Sequence, residues 1–205
     1  MKTEITKFWN YFLSIQMDLV YANNTGNLEL STDLINRLQC KAKNIHSELT
    51  LVFQFSGGDF AKLIFITKGK YKLNAIVKQM LVSKPQLAMW QYQIGIKQYK
   101  RSITSLCKNN NFIDQHTVIH QIYFAVHKLY KTSNKLHLLI YIEMDKKHSK
   151  SDLHDAMGTI LLWFLGDAYY QKHIGKYRIV RRKFSSIRFM PLDELKHLIH
   201  FKSFN

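Results

Sequence analysis

Ten histidines and a few runs of basic residues are the side chains of this 205-residue chain best suited to chemistry. His116 and His120 stand four apart with Asp114 just upstream. On a helix that spacing brings two imidazoles to one zinc ion. The residues that follow alternate as a strand does, however, and there positions i and i+4 lie roughly 13 Å apart, too far to share a metal. These histidines therefore read as turn and strand residues. His148, His154 and Asp155 flank a helix start, where capping and compensation of the helix dipole account for them. His197 and His200 fall in an amphipathic C-terminal stretch and read as surface residues. Neither a metal nor a cofactor is expected.

Covalent and acid–base catalysis find little material. There is no Gly-x-Ser-x-Gly, and Cys40 and Cys107 sit in no activating motif. Glycosidase and two-metal chemistry both need paired carboxylates, and the chain holds only 14 acids. Glu143 and Asp145 share a strand face beside a Lys-rich turn and read as solvated charge. Gly57-Gly58 and Gly69 lack the spacing of a phosphate loop and read as turn residues. The expectation is a protein that is not an enzyme.

Charge is the stronger signal. The stretch KHIGKYRIVRRKF (172–184) packs six Lys and Arg into thirteen positions with no acid. Lys176, Arg178, Arg181, Arg182 and Lys183 in and around it, with Lys97, Lys100 and Arg101 further upstream, make the expected partner-binding face. The whole chain carries +16 with a pI near 9.8, a field that draws phosphates, anionic lipid and acidic proteins. Residues 1–102 hold 14 basic and 6 acidic groups and residues 103–205 hold 16 and 8, so each half is net +8 and no basic tail explains the excess. Between Phe60 and Phe112 there is no acid at all.

Two partner classes fit. The first is an acidic protein, met as an immunity protein meets the toxin it neutralises, with charge complementarity supplying on-rate and specificity. The alternative is nucleic acid, RNA or single-stranded DNA, held by phosphate contacts and stacked bases. Trp90 and Tyr92 weaken the alternative, because they share the phase of Ile94 and Ile96 and should face a core. A third account needs no partner: cations on an edge strand keep one sheet from pairing with another. The acidic protein is the favoured reading.

The elements that must position these residues follow from periodicity. Ile5, Phe8, Trp9, Phe12, Ile15 and Leu19 recur at helical spacing after a cap at Thr3, and NNTGN (23–27) ends that helix. A second helix is predicted from Ser31 or Thr32, through Leu34, Ile35, Leu38, Ala42 and Ile45. Residues 49–55 alternate as a strand, SGGD (56–59) turns, and 61–67 return as its hairpin partner. A helix with Leu73, Ile76, Val77, Met80 and Leu81 on one face stops before Pro85, and 90–97 form the next strand. The order then repeats. Strands at 119–131 and 135–144 are joined by a TSN turn. A helix with a capping-box-like start at Ser149–Asp152 carries a stripe running to Ala168. A closing strand covers 176–189, and a short helix begins at Pro191.

The predicted class is therefore α+β, with two pseudo-repeated ββαβ units, mainly antiparallel sheet covered by helices, and extra N- and C-terminal helices. They make one compact domain over 1–205, or two half-units, 1–100 and 117–205, joined by 101–116. No uncharged stretch approaches the roughly 20 apolar residues of a membrane span. The opening MKTEITKFWN places Glu4 and Lys7 before any apolar run, unlike a signal peptide, and two lone thiols suit a reducing cytosol.

These landmarks resemble an uncharacterised family of cytosolic bacterial proteins, frequent in Bacteroidetes. Its FWxWF helix is met at Phe8-Trp9-Asn10-Tyr11-Phe12, and its helix ending near Pro followed by a Trp-led strand at Pro85 and Trp90. Its LLDxxLGE-like helix end is met at Leu161-Leu162-Trp163-Phe164-Leu165-Gly166-Asp167, and its PLxEL segment at Pro191-Leu192-Asp193-Glu194-Leu195. The resemblance implies a shared fold and brings no catalytic residue with it. Its members are mostly acidic, so the strong basicity here is a property of this chain.

Overall fold

The computed structural model describes residues 1–56, 60–108, 112–113, 117–130 and 133–202. Asp114, His116, Gly57 and Gly58 lie outside the described residues, as do parts of the SGGD and TSN turns. The chain divides into two compact units, Met1–Ile96 and Lys97–Asn205.

In the first unit, α1 (Lys2–Thr25) buries Ile5, Phe8, Trp9, Phe12, Ile15 and Leu19, the residues its periodicity selects. It starts earlier than expected, with Met1 at the N-cap position, and Thr3 lies within the first turn. Gly26, in the left-handed region at φ 68°, ends it, a conformation that glycine adopts without steric cost. α2 (Leu28–Ile45) also starts earlier than Ser31. The Leu30 amide donates to the Asn27 side chain, a cap hidden in a run that reads from sequence only as a helix breaker.

β1 (Thr50–Ser56) and β2 (Phe60–Ile66) pair antiparallel. After α3 (Tyr71–Val82), β3 (Trp90–Ile94) pairs parallel to β2. The core is aromatic: Phe12 meets Trp90 edge-on at 4.8 Å, and Trp9 meets Tyr92 edge-on at 5.4 Å, geometries favoured by ring quadrupoles. Both indoles are satisfied, Trp9 donating to the Met80 carbonyl and Trp90 to Gln16. Gln39 of α2 does unusual work at the sheet edge. Its amide donates to the Leu49 carbonyl at 2.7 Å and accepts from the Leu51 amide at 2.8 Å, so one side chain pairs with the β1 backbone as a neighbouring strand would.

In the second unit, α4 (Ile103–Lys108) lies in the stretch read from sequence as a connector, and buries Ile103 and Leu106. The sheet has the order β6-β5-β4-β7, with β4 (Ile119–Tyr130), β5 (Lys135–Met144), β6 (Ile174–Val180) and β7 (Met190–Pro191). β4 pairs antiparallel with β5, and β6 parallel to β5. α5 (Lys150–Leu165), capped by the Ser149 side chain as predicted, buries Ala156, Met157, Ile160, Leu161, Phe164 and Leu165 against Ile122, Phe124, Leu138 and Ile140. Gly158 of α5 allows a close approach to β6: a Cβ there would stand 2.8 Å from the Tyr177 hydroxyl, which donates to the His154 carbonyl.

The fold is thus α+β with the ββαβ order in each unit; among the described residues three of the five strand pairs are antiparallel, as expected, and each sheet also holds one parallel pair. The reason is connectivity: the strand after a helical crossover returns in the direction of the strand before it. Three local expectations are corrected. Ala168 belongs to α6 (Asp167–His173) and is exposed, because Gly166 ends α5. The closing strand stops at Val180, where its ladder with Tyr141 ends, so 181–189 are not strand. Pro191 does not open a helix. It pairs with Tyr123 in edge strand β7, where a residue without an N–H is tolerated, and α7 (Glu194–Lys202) begins beyond it.

Candidate functional site

Parallel pairing brings the carboxyl ends of β5 and β6 side by side. The turn after β5 leads into α5, and the segment after β6 turns away at Arg181. Between them lies a cleft of about 850 Å³. Six of its lining residues are cations: Lys146, Lys147 and Lys150 from the β5 side, and Arg178, Arg181 and Arg182 from the β6 side. Its two carboxylates are Glu143 and Asp145. Asp145 accepts from the Val118 amide at 2.9 Å, which ties it to the start of β4, and the six cations still outnumber the two carboxylates. Among the described residues none of the six cations is in an ion pair. The amino end of α5, beside Lys150, adds its positive dipole end to the same field.

Arginine is concentrated here. The chain has six arginines against 24 lysines, and three of the six line this cleft. A guanidinium offers a planar fork that meets carboxylate or phosphate with two parallel hydrogen bonds, which an ammonium cannot.

The predicted basic residues are all exposed, but they do not form one face. Arg178, Arg181 and Arg182 meet in the cleft. Lys176 lies lower on β6, two residues from Arg178 on the same side of the strand. Lys183 turns away, its ammonium over the Tyr123 ring. Lys97, Lys100 and Arg101 belong to the other end of α5, since the Tyr99 amide donates to the Phe164 carbonyl and Lys196 donates to the Tyr99 carbonyl. From Lys150 to Phe164 the helix runs about 20 Å, so these three form a separate patch. Cations near the carboxyl end of a helix also oppose its dipole, a structural reason for their presence.

Lys146, Lys147 and Lys150 are the members that reading the sequence missed. Their run was visible as a Lys-rich turn, but only the β5–β6 pairing places it opposite 178–182. Other side chains weighed for chemistry have structural partners. Thr117 and His148 share a hydrogen bond of 2.7 Å, and the His154 ring stacks on Tyr177 at 4.5 Å. Burial, with Asp193 nearby, pushes the Cys107 thiol up to about 12, so it is no nucleophile near neutral pH. Among the described residues no group of three or more His, Cys, Asp or Glu could hold a metal ion, and no helix is long and apolar enough to cross a membrane.

No family model, no curated protein and no solved structure matches this chain. The functional reading therefore rests on the site itself.

Proposed function

We propose that this protein is a non-enzymatic binding module whose cationic cleft receives an acidic surface of a partner protein, as an immunity protein receives the toxin it neutralises. The observation that carries this reading is the cleft between the ends of β5 and β6, where six cations without an ion pair among the described residues line a space with two carboxylates. A concave surface of one sign focuses the field, speeds encounter with an oppositely charged partner and rejects like-charged ones. Its arginines suit carboxylates, since each guanidinium fork can meet both oxygens of one carboxylate.

Nucleic acid is the second reading, favoured by the same arginines, since phosphate also fits the fork. The aromatic sheet residues do not add to it: Trp90 is buried, and Tyr92 packs against the first unit's core. The test is fluorescence anisotropy of a labelled glutamate- and aspartate-rich peptide, a single-stranded RNA and a duplex DNA, at low and physiological salt. The acidic peptide should bind the full chain and lose at least about tenfold in affinity in the R181S/R182S variant, as charge-assisted hydrogen bonds of 1.5–3 kcal/mol imply. RNA or DNA binding that persists at physiological salt, while the peptide does not bind, would transfer the cleft to nucleic acid.

A further inference from the structure

Arg178 serves two cavities. It lines the cleft, and it also lines a smaller cavity of about 330 Å³ on the sheet face opposite α5. Alternation along the strands explains the second. Leu139 of β5 and Val180 of β6 point away from the face that packs on α5, and the segment after β6 folds back so that Phe184 and Ile187 also line this space. The remaining lining residues are polar: His127, His137, Arg178 and Ser186.

The polar set is unusual in its chemistry. The His127 and His137 rings meet edge-on, 5.1 Å apart, and Tyr130 stacks on His137 and holds its plane. Among the described residues no hydrogen bond or ion pair engages His127, His137 or Arg178. No carboxylate lines the cavity. Donor groups thus line a half-open surface pocket together with four apolar side chains, at a volume within the small-molecule range. A bare phosphate would satisfy the donors and leave the four apolar side chains unfilled, whereas a hydrocarbon stem fills that space.

We propose that this cavity is a binding site for a carboxylate carried on an apolar stem, with Arg178 and the His127–His137 pair holding the carboxylate and Leu139, Val180, Phe184 and Ile187 packing along the stem. The carboxylate comes from a small organic acid or from a glutamate of an acidic protein, and only the second source depends on the cleft reading. The titratable and charged groups facing His137 are His127, Lys128 and Tyr130 from β4 and Lys176 and Arg178 from β6, none of them a carboxylate. Burial, His127 and the three cations hold the His137 imidazole below its ordinary range. A bound carboxylate opposes that and favours the protonated ring, so affinity should rise as pH falls from 7.5 towards 5.5.

The test is NMR of the histidine side chains in the full chain, titrated with hexanoate, with hexanol as the uncharged control, and with an acetylated, amidated peptide centred on Glu-Leu. Hexanoate should shift His127 and His137 saturably and raise the His137 titration midpoint, and hexanol should do neither. R178Q should weaken hexanoate at least about tenfold, the loss expected for a charge-assisted pair. K146S/K147S, which alters only the cleft, should not change it. A peptide that binds tighter than hexanoate assigns the site to a protein partner, and the reverse order assigns it to a free acid. The proposal fails if neither probe moves the two histidines, if hexanol acts as hexanoate does, or if K146S/K147S abolishes the shifts. Failure with hexanoate alongside retained, cleft-dependent binding of the acidic peptide would remove this site and leave the cleft reading standing.

Discussion

The Lys183 ammonium stands 3.1 Å from the centre of the Tyr123 ring and 5.3 Å from that of Tyr141, its cross-strand neighbour. One lysine of the basic run therefore folds back on the sheet while Arg181 and Arg182 face the cleft. Adjacent cations have different work. K183M should cost about 0.5–1 kcal/mol of stability, the range for an exposed cation–π contact. R181S/R182S should stay within about 0.5 kcal/mol of wild type, as surface changes do. Urea unfolding of the two variants checks this, and equal losses in both would place the arginines in the fold rather than in the site.

Gln39 closes the β1 edge by bonding both Leu49 and Leu51. Q39A leaves a part-buried N–H and C=O to whatever water can reach them. A loss of about 1–3 kcal/mol is expected, measured as a lower urea midpoint with an unchanged slope. A variant as stable as wild type would mean that solvent replaces the amide fully.

Tyr92 presents the opposite case. Its hydroxyl is buried without a hydrogen-bond partner among the described residues, and burial pushes its pKa up to about 12. Y92F keeps the ring, its edge-on contact with Trp9 and the Lys84 ammonium near its face. The variant should gain about 1 kcal/mol or more, because it removes an unsatisfied polar atom. A destabilised Y92F would reveal a partner for the hydroxyl.

His137 and His173 are both held below the ordinary imidazole range, burial being the largest cause in each. A folded-state value below the unfolded one means that the unfolded chain takes up the proton first. The stability these groups contribute is therefore complete above about pH 6.5, the unfolded value, and is lost as pH falls through their folded values. Unfolding should become easier between pH 7.5 and 5, a window that keeps the lowered carboxyls of Glu4 and Glu48 ionised. H137Q/H173Q should flatten the dependence. An unchanged slope in the double variant would assign it to other groups.

The sequence determined what local forces determine. Helical and alternating periods selected the buried faces of α1 and α5 correctly, because a residue's side of a helix or strand depends only on its position along the chain. They also placed the hairpin β1–β2, the Ser149 cap and the inward phase of Trp90. Boundaries were less legible where a cap is a lone side chain, as at Asn27, or where a strand ends because its partner does, as at Val180. Arg178, Arg181 and Arg182 were legible as a basic run, but the cleft they share with Lys146, Lys147 and Lys150 was not. Lys146 and Arg181 are 35 positions apart, and only the parallel return of β6 beside β5 puts both on one cavity. The antiparallel β4–β5 ladder sets His127 beside His137, and the parallel β5–β6 ladder brings Arg178 to the same face, while the Tyr99–Phe164 contact leaves Lys97, Lys100 and Arg101 at the other end of α5. Charge is a property of composition. Which charges act together is decided by strand order, since a sheet's neighbours are fixed by its hydrogen-bonded ladder and not by distance along the chain.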